Sequence, residues 1–312
     1  MISFINALSK YDCILKNGPL GTRLKYDYGI KLGSNLTVSD VLETESYRKA
    51  LAEIYTGDID IAQQYSIPMI INAATFRASR NHLHYNETRD IKKINMQCIN
   101  FIKDIKRNYV KPTAPIFIGA PVGSMYDAYS VKKSLTSEKA KQYHLEQIGI
   151  FKEAKLDLVS GTALSSLPEA LGIALAADQN KLDYTISFIL KNEGVLLDGT
   201  PLDEAIDCID SKTQKKPLGF LINCTHPSVI SKLSDKNDKY KRLIGIKPNG
   251  SDRTPKELSA MTKPVFDSPK EFAESLLQLK KRFGLKIIGC CCGTSKEHLR
   301  EIAKTCSIGE AI

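Results

Sequence analysis

Ser268-Pro-Lys-Glu-Phe-Ala-Glu-Ser-Leu-Leu-Gln-Leu-Lys-Lys-Arg-Phe-Gly-Leu-Lys-Ile-Ile-Gly-Cys-Cys-Cys-Gly-Thr-Ser-Lys-Glu297 holds a complete helix–strand–helix passage. Ser268, Pro269 and Glu271 combine a capping hydroxyl, a proline in the first turn and a glutamate at the third helical position, which marks a helix start. Phe272, Leu276, Leu279 and Phe283 then recur at helical spacing and give that helix one apolar face. Gly284 supplies the stop. Leu285–Gly289 is apolar and of strand length, and Thr294-Ser-Lys-Glu297 repeats the capping pattern. The consecutive cysteines Cys290, Cys291 and Cys292 therefore fall in a short loop between a strand and a helix.

The same alternation runs through the chain. Eight candidate strands emerge: Asp12–Lys16, Pro68–Ala73, Pro115–Gly119, Leu156–Ser160, Tyr184–Phe188, Leu218–Asn223, Leu243–Lys247 and Leu285–Gly289. Between the second and third, Ile91, Ile94, Cys98, Ile102 and Ile105 share one helix face, and Thr254-Pro-Lys-Glu257 repeats the capping signature. Strands alternating with helices predict a parallel sheet. Eight such units in 312 residues point to a single (β/α)8 TIM-type barrel spanning residues 1–312, with loop insertions. A doubly wound open sheet is the rival, but no Gly-x-Gly-x-x-Gly follows the first strand and no shift in composition marks a boundary. Asn17–Thr44 reads as a long polar loop over the top face.

Composition narrows the function classes. Apolar residues make up 42% and charged residues 25%, as in ordinary globular proteins. No apolar run reaches the roughly 20 residues of a membrane span, and the first residues lack a signal-peptide pattern, so the expectation is a cytoplasmic protein that does not bind membranes. The 44 Lys+Arg against 35 Asp+Glu give a formal charge of +9. That excess is scattered in short runs such as Ile91-Lys-Lys, Lys132-Lys-Ser and Lys280-Lys-Arg beside helices, so it predicts solvated faces and no nucleic-acid partner. Cys13, Cys98, Cys208 and Cys306 stand singly and read as small core residues.

In a parallel barrel the ends of the strands and the loops that follow them form the catalytic face. The first strand ends at Asn17-Gly-Pro-Leu-Gly-Thr22, the sixth at Asn223-Cys-Thr-His-Pro227, the seventh at Pro248-Asn-Gly-Ser251 and the eighth at Cys290–Thr294. Cys224 and the cysteine triplet thus belong to one rim. Three thiolates from two strand ends suit Zn2+, which takes tetrahedral sulfur ligation. The same cysteines would also serve as buried thiols packing the barrel end, or as a metal-free redox group, and spacing does not choose among these. Asn249, at the rim beside Gly250, is a further candidate for lining the site.

These residues also carry a resemblance. Leu285-Lys-Ile-Ile-Gly-Cys-Cys-Cys-Gly-Thr-Ser-Lys-Glu-His298 resembles the Gly-Gly-Cys-Cys-Gly-Thr signature of the homocysteine S-methyltransferases, and Leu221-Ile-Asn-Cys-Thr-His-Pro-Ser228 resembles their upstream Asn-Cys motif. Ile186-Ser-Phe with Leu196-Leu-Asp-Gly-Thr200 looks like the family's fifth-strand segment, and Tyr143-His-x-x-Gln147 and Gly21-Thr22 match weaker positions. The resemblance implies a zinc-dependent enzyme in which Cys224, Cys291 and Cys292 hold the metal, with Cys290 a bystander in a position that is normally glycine. A small-molecule thiol, homocysteine or a relative, takes the fourth place and receives a methyl group from an activated donor. Its substrate thiol, activated by zinc, is the nucleophile, and no protein side chain is assigned a catalytic role beyond that.

The resemblance also marks departures. The family usually has an aspartate where Asn17 stands and a glutamate at Gly161 in Ser160-Gly-Thr-Ala163, beside Thr162; in relatives those carboxylates accompany the amino-acid acceptor. Here the acceptor is expected to be another thiol, or homocysteine held by other groups such as Asp157 or Glu169. Loss of both carboxylates also motivates an alternative reading, a zinc-bound barrel with a binding or regulatory role. Thr75, in Asn72-Ala-Ala-Thr-Phe76, is a candidate for lining the site, and His226 and His298 lie beside the motif cysteines. Cobalamin-dependent relatives carry large added domains that 312 residues cannot hold, which favours a sulfonium donor of the S-methylmethionine type.

Overall fold

The computed structural model describes residues 2–32, 37–83, 90–131, 135–191, 194–253 and 266–309. Eight strands close into one barrel: β1 (Ile14–Lys16), β2 (Met69–Asn72), β3 (Ile116–Val122), β4 (Leu158–Leu164), β5 (Tyr184–Phe188), β6 (Gly219–Asn223), β7 (Leu243–Lys247) and β8 (Ile287–Gly289). Neighbouring strands are all parallel, and the ring closes where Ile14 pairs with Ile287 and Lys16 with Gly289. The chain returns between strands through helices, among them Glu45–Gln64, Ile91–Arg107, Ser137–Ala154, Leu167–Gln179 and Pro269–Phe283. The (β/α)8 barrel expected from the sequence is the observed architecture. No described helix is long and apolar enough to cross a membrane.

Successive residues of a strand point to opposite faces of a sheet, and the two faces bury against different things. Leu15, Ile71, Ile118, Val159, Ile186, Ile222, Ile246 and Ile288 point outward and pack under the helices. Their neighbours Ile14, Ile70, Phe117, Leu158, Leu221 and Ile287 point inward, where Phe4 and Ala7 of the helix Phe4–Lys10 plug the barrel floor. Phe4 meets Phe117 edge-on with ring centroids 5.3 Å apart. One layer up, toward the strand ends, the inward positions turn polar: Lys16, Asn72, Ser160, Thr185 and Lys247 replace the aliphatic residues below them.

Pairing continues further than the apolar runs suggest. β3 and β4 end at Val122 and Leu164, not at Gly119 and Ser160, because Val122 still pairs with Gly161 and Leu164 with Phe188. The segment after β1 is not an open loop. It contains the helix Leu20–Tyr28, closed by Gly29 at φ 69°, and the 3-10 helix Val38–Glu43, opened by a reciprocal Thr37–Asp40 capping box. The Ser268–Glu271 cap forms as read, with the Ser268 hydroxyl accepting from the Glu271 N–H. At the last helix, by contrast, Thr294 donates to the Cys291 carbonyl, and the Ser295 N–H is capped by the His298 ring. Cys13, Cys98 and Cys306 are buried and Cys208 is half-buried. The Thr254–Glu257 capping signature and the Lys132–Ser134 basic run lie outside the described residues.

Helices Ser137–Ala154 and Leu167–Gln179 cross at Gly172, where a Cβ would stand 2.5 Å from Ala140 Cβ and 2.7 Å from both the Lys141 nitrogen and the Ser137 oxygen. Two of those three atoms are backbone, so the contact cannot be relieved by a rotamer change. Gly172→Ala is expected to cost about 3 kcal/mol of stability by overpacking, seen as a lower urea midpoint with an unchanged slope. A midpoint equal to that of the parent protein would refute this account of the crossing.

Candidate active site

Cys224 follows β6 directly, with φ of 54°. That left-handed backbone costs a non-glycine residue roughly 1–2 kcal/mol, and it is held by local bonds. The Cys224 N–H donates to the Lys247 carbonyl at 3.1 Å, and Asn249 Nδ2 donates to the Cys224 carbonyl at 3.1 Å. Across the rim, Cys291 N–H donates to the Pro248 carbonyl at 2.7 Å and Gly250 N–H to the Cys292 carbonyl at 2.9 Å. The ends of β6, β7 and β8 are thereby laced together by backbone bonds.

This lacing brings the Sγ atoms of Cys224, Cys291 and Cys292 within 4.8 Å of one another, with Cys224 and Cys291 at 3.0 Å. Two sulfurs sharing one tetrahedral zinc stand about 3.8 Å apart, from Zn–S bonds of about 2.3 Å. The trio therefore needs only sub-ångström adjustment to accept that ion, and its soft donor set suits it. Hydrogen bonds from the Cys224 and Cys292 thiols hold the Cys291 thiol well below its ordinary range, so the cluster already favours a thiolate. Cys290 points the other way, into the helix-facing core, and burial pushes its thiol up to about 12.

Several residues not singled out by the sequence reading stand around the sulfurs. Asn223 donates from Nδ2 to Cys224 Sγ at 3.1 Å, while its Oδ1 accepts from the Ala163 N–H and the Ser187 hydroxyl. Tyr129, in the segment after β3, brings its hydroxyl to Cys224 while part of its ring stays exposed; desolvation of the hydroxyl and then the nearby sulfurs raise its pKa, which keeps it a donor. Ala128, Ala163 and Ile189 form an apolar cluster that packs with Phe76, Leu197 and Cys224. Below the sulfurs lie Lys16 and Lys247. Lys16 is 3% exposed and donates to Ser160 Oγ at 3.3 Å, and burial, then repulsion from Lys247, push its pKa down to about 7 against the pull of Cys291.

The other expected residues are placed as follows. Asn17 is buried with both ends of its amide engaged, Oδ1 accepting from the Asn72 N–H at 3.0 Å and Nδ2 donating to the Gly18 carbonyl at 3.2 Å. Thr75 is also buried and donates to the Pro121 carbonyl at 2.9 Å. Gly161 faces the helices: a Cβ there would meet Ile186, Ile173 and Leu164 at 2.9, 3.1 and 3.1 Å. It cannot seat a pocket group, and the inward position is Thr162, whose hydroxyl donates to the Ser160 carbonyl at 3.0 Å. Asp157 precedes β4 at the floor end and accepts from the Ile118 N–H, whereas Glu169 accepts from the Met125 N–H at the helix layer and contacts His144. Neither lies beside the sulfurs. His226 and His298 both reach Asp267, through its carboxylate at 2.9 Å and its carbonyl at 3.1 Å, and hold the end of the segment that returns from β7. The buried Oδ1 atoms of Asn72 and Asn249 have no partner among the described residues.

The chain is 24% identical over 314 residues to a homocysteine S-methyltransferase of Bacillus subtilis, covering 95% of each. It is 24% identical over 308 residues to homocysteine S-methyltransferase 4 of Zea mays, covering 94% of this chain and 89% of the other. The metallated form of the Escherichia coli homocysteine methyltransferase superposes with a TM-score of 0.74 at 16% identity, over 96% of this chain and 98% of that one, a likeness of fold. The homocysteine S-methyltransferase family model matches residues 14–306, and the chain belongs to that family.

Proposed function

We propose that the protein is a thiol S-methyltransferase that moves a methyl group from a sulfonium donor such as S-methylmethionine to homocysteine or a related thiol. The observation that carries this reading is the meeting of Cys224, Cys291 and Cys292 at the strand ends of β6 and β8. In this reading those three residues would hold one Zn2+, which when bound would supply the Lewis acidity that keeps an acceptor thiol deprotonated at neutral pH, where a free thiol with pKa near about 8.5 is mostly protonated.

The chain itself supports the transfer in three ways. Asn223 and Tyr129 direct hydrogen bonds at the Cys224 sulfur, fixing its orientation. The apolar cluster beside Cys224 keeps water from a reaction in which two opposite charges vanish together. One C–S bond forms at the acceptor, one breaks at the donor, and a neutral thioether leaves with the former sulfonium's electron pair. The laced rim of β6, β7 and β8 keeps acceptor and donor in line, where orientation contributes most to rate.

The purified protein is expected to bind about one zinc per chain and to convert homocysteine to methionine when S-methylmethionine is supplied. A folded, zinc-loaded protein that methylates no thiol in a broad panel of acceptors and sulfonium donors would overturn the proposal.

A further inference from the structure

The methyl-transfer reading leaves two inward-facing lysines unused, Lys16 buried and Lys247 half-buried. Lys16 ends β1 and Lys247 ends β7, and β8 between them offers Gly289 at the same height. A Cβ at Gly289 would lie 3.1 Å from Lys16 Cβ and 3.3 Å from Lys247 Cγ, so the two lysine stems rise on either side of a bare backbone. The next inward residue on that strand is Cys291. Lys247 repels Lys16, and the Cys291 sulfur attracts it; no carboxylate is among the groups that bear on Lys16, whereas Lys247 also bears on the buried Asp58 carboxylate. The other polar groups at this height, including Ser160, Thr185, Asn72 and Asn223, are neutral. A buried ammonium with a second ammonium beside it and no carboxylate against it is costly, and a further anion placed between the two would offset part of that cost.

We propose that Lys16 and Lys247 form an anion-binding floor beneath the sulfur cluster, so that the acceptor is a short thiol bearing a carboxylate or sulfonate and needs no ammonium group. This rests on the thiol-methylation reading for its choice of a thiol, and it specifies which thiol. An ammonium placed on this floor meets like charge, whereas an anionic group gains two charge-assisted hydrogen bonds.

Three matched probes separate the terms: homocysteine, 4-mercaptobutyrate, which lacks the amino group, and 3-mercaptopropylamine, which lacks the carboxylate. Binding to the zinc-loaded protein is read by calorimetry, so the result does not depend on methyl transfer. We expect 4-mercaptobutyrate to bind at least as tightly as homocysteine and 3-mercaptopropylamine at least roughly tenfold more weakly. Lys16→Met and Lys247→Met, with metal content checked, should each weaken 4-mercaptobutyrate by about tenfold and leave 3-mercaptopropylamine unchanged or tighter. Equal binding of the amine and the acid, or homocysteine tenfold tighter than 4-mercaptobutyrate, overturns the proposal. So does a uniform loss across all three probes in the variants, which would mark the lysines as tuning the sulfur cluster alone. Binding that follows the expected order without turnover would instead fault the methyl-transfer reading.

Discussion

Cys224→Ser is expected to lose both bound metal and thiol methylation, with zinc falling from about one per chain to a small fraction and turnover falling by roughly 10^3-fold or more. A serine hydroxyl stays protonated and is a harder, weaker ligand than thiolate. Cys291→Ser and Cys292→Ser should behave alike, since all three sulfurs lie within one 4.8 Å cluster. Cys290→Ala is the internal control. Its sulfur sits in the helix-facing core, so the change removes a small buried group worth about 1 kcal/mol and should spare metal content and turnover. Metal analysis on all four variants checks the set. Retention of full zinc by Cys224→Ser, or its loss in Cys290→Ala, would assign the wrong sulfurs.

That contrast between adjacent cysteines shows what could be read without coordinates. The rim position of Cys224 and the triplet was legible because caps and glycine stops bracket the strand ends so tightly. The barrel followed from eight strand-length apolar runs. What remained hidden turns on which side of a strand a residue faces. A parallel strand buried on both faces is apolar throughout, so its sequence carries no alternation from which to read direction. Gly161 and Thr162 are adjacent, yet one faces a helix and the other the barrel axis. Lys16 and Lys247 close strand-length runs, where lysine is ordinarily solvated; only closure of the ring at Lys16 and Gly289 shows that Lys16 is enclosed. Tyr129 lies in a polar segment after β3, and nothing in its neighbours signals that its hydroxyl reaches Cys224.

Arg23→Met is expected to destabilise the protein by about 3–5 kcal/mol at neutral pH. Arg23 and Asp58 are 5% and 0% exposed and pair at 2.7 Å. Asp58 also accepts the Gly18 N–H at 3.0 Å, so it ties the first rim turn to helix Glu45–Gln64. Burial raises the Asp58 pKa above its ordinary value, and the Arg23 charge and the Gly18 N–H only partly oppose this. Removing the guanidinium raises it further. The folded state then binds a proton more tightly than the unfolded chain, so the variant should regain stability as pH falls from neutral toward the ordinary carboxylate value of 3.8. Urea midpoints of parent and variant at pH 5 and pH 8 test both parts: the deficit should be smaller at the lower pH. A deficit independent of pH would mean that lost packing, not an uncompensated carboxylate, explains the cost. Arg23→Met with Asp58→Leu should recover part of the loss, because two apolar residues in place of a buried pair leave no charge to desolvate. The double variant also frees the Gly18 N–H, so any remaining deficit measures what that one bond contributes to holding the β1 turn in place.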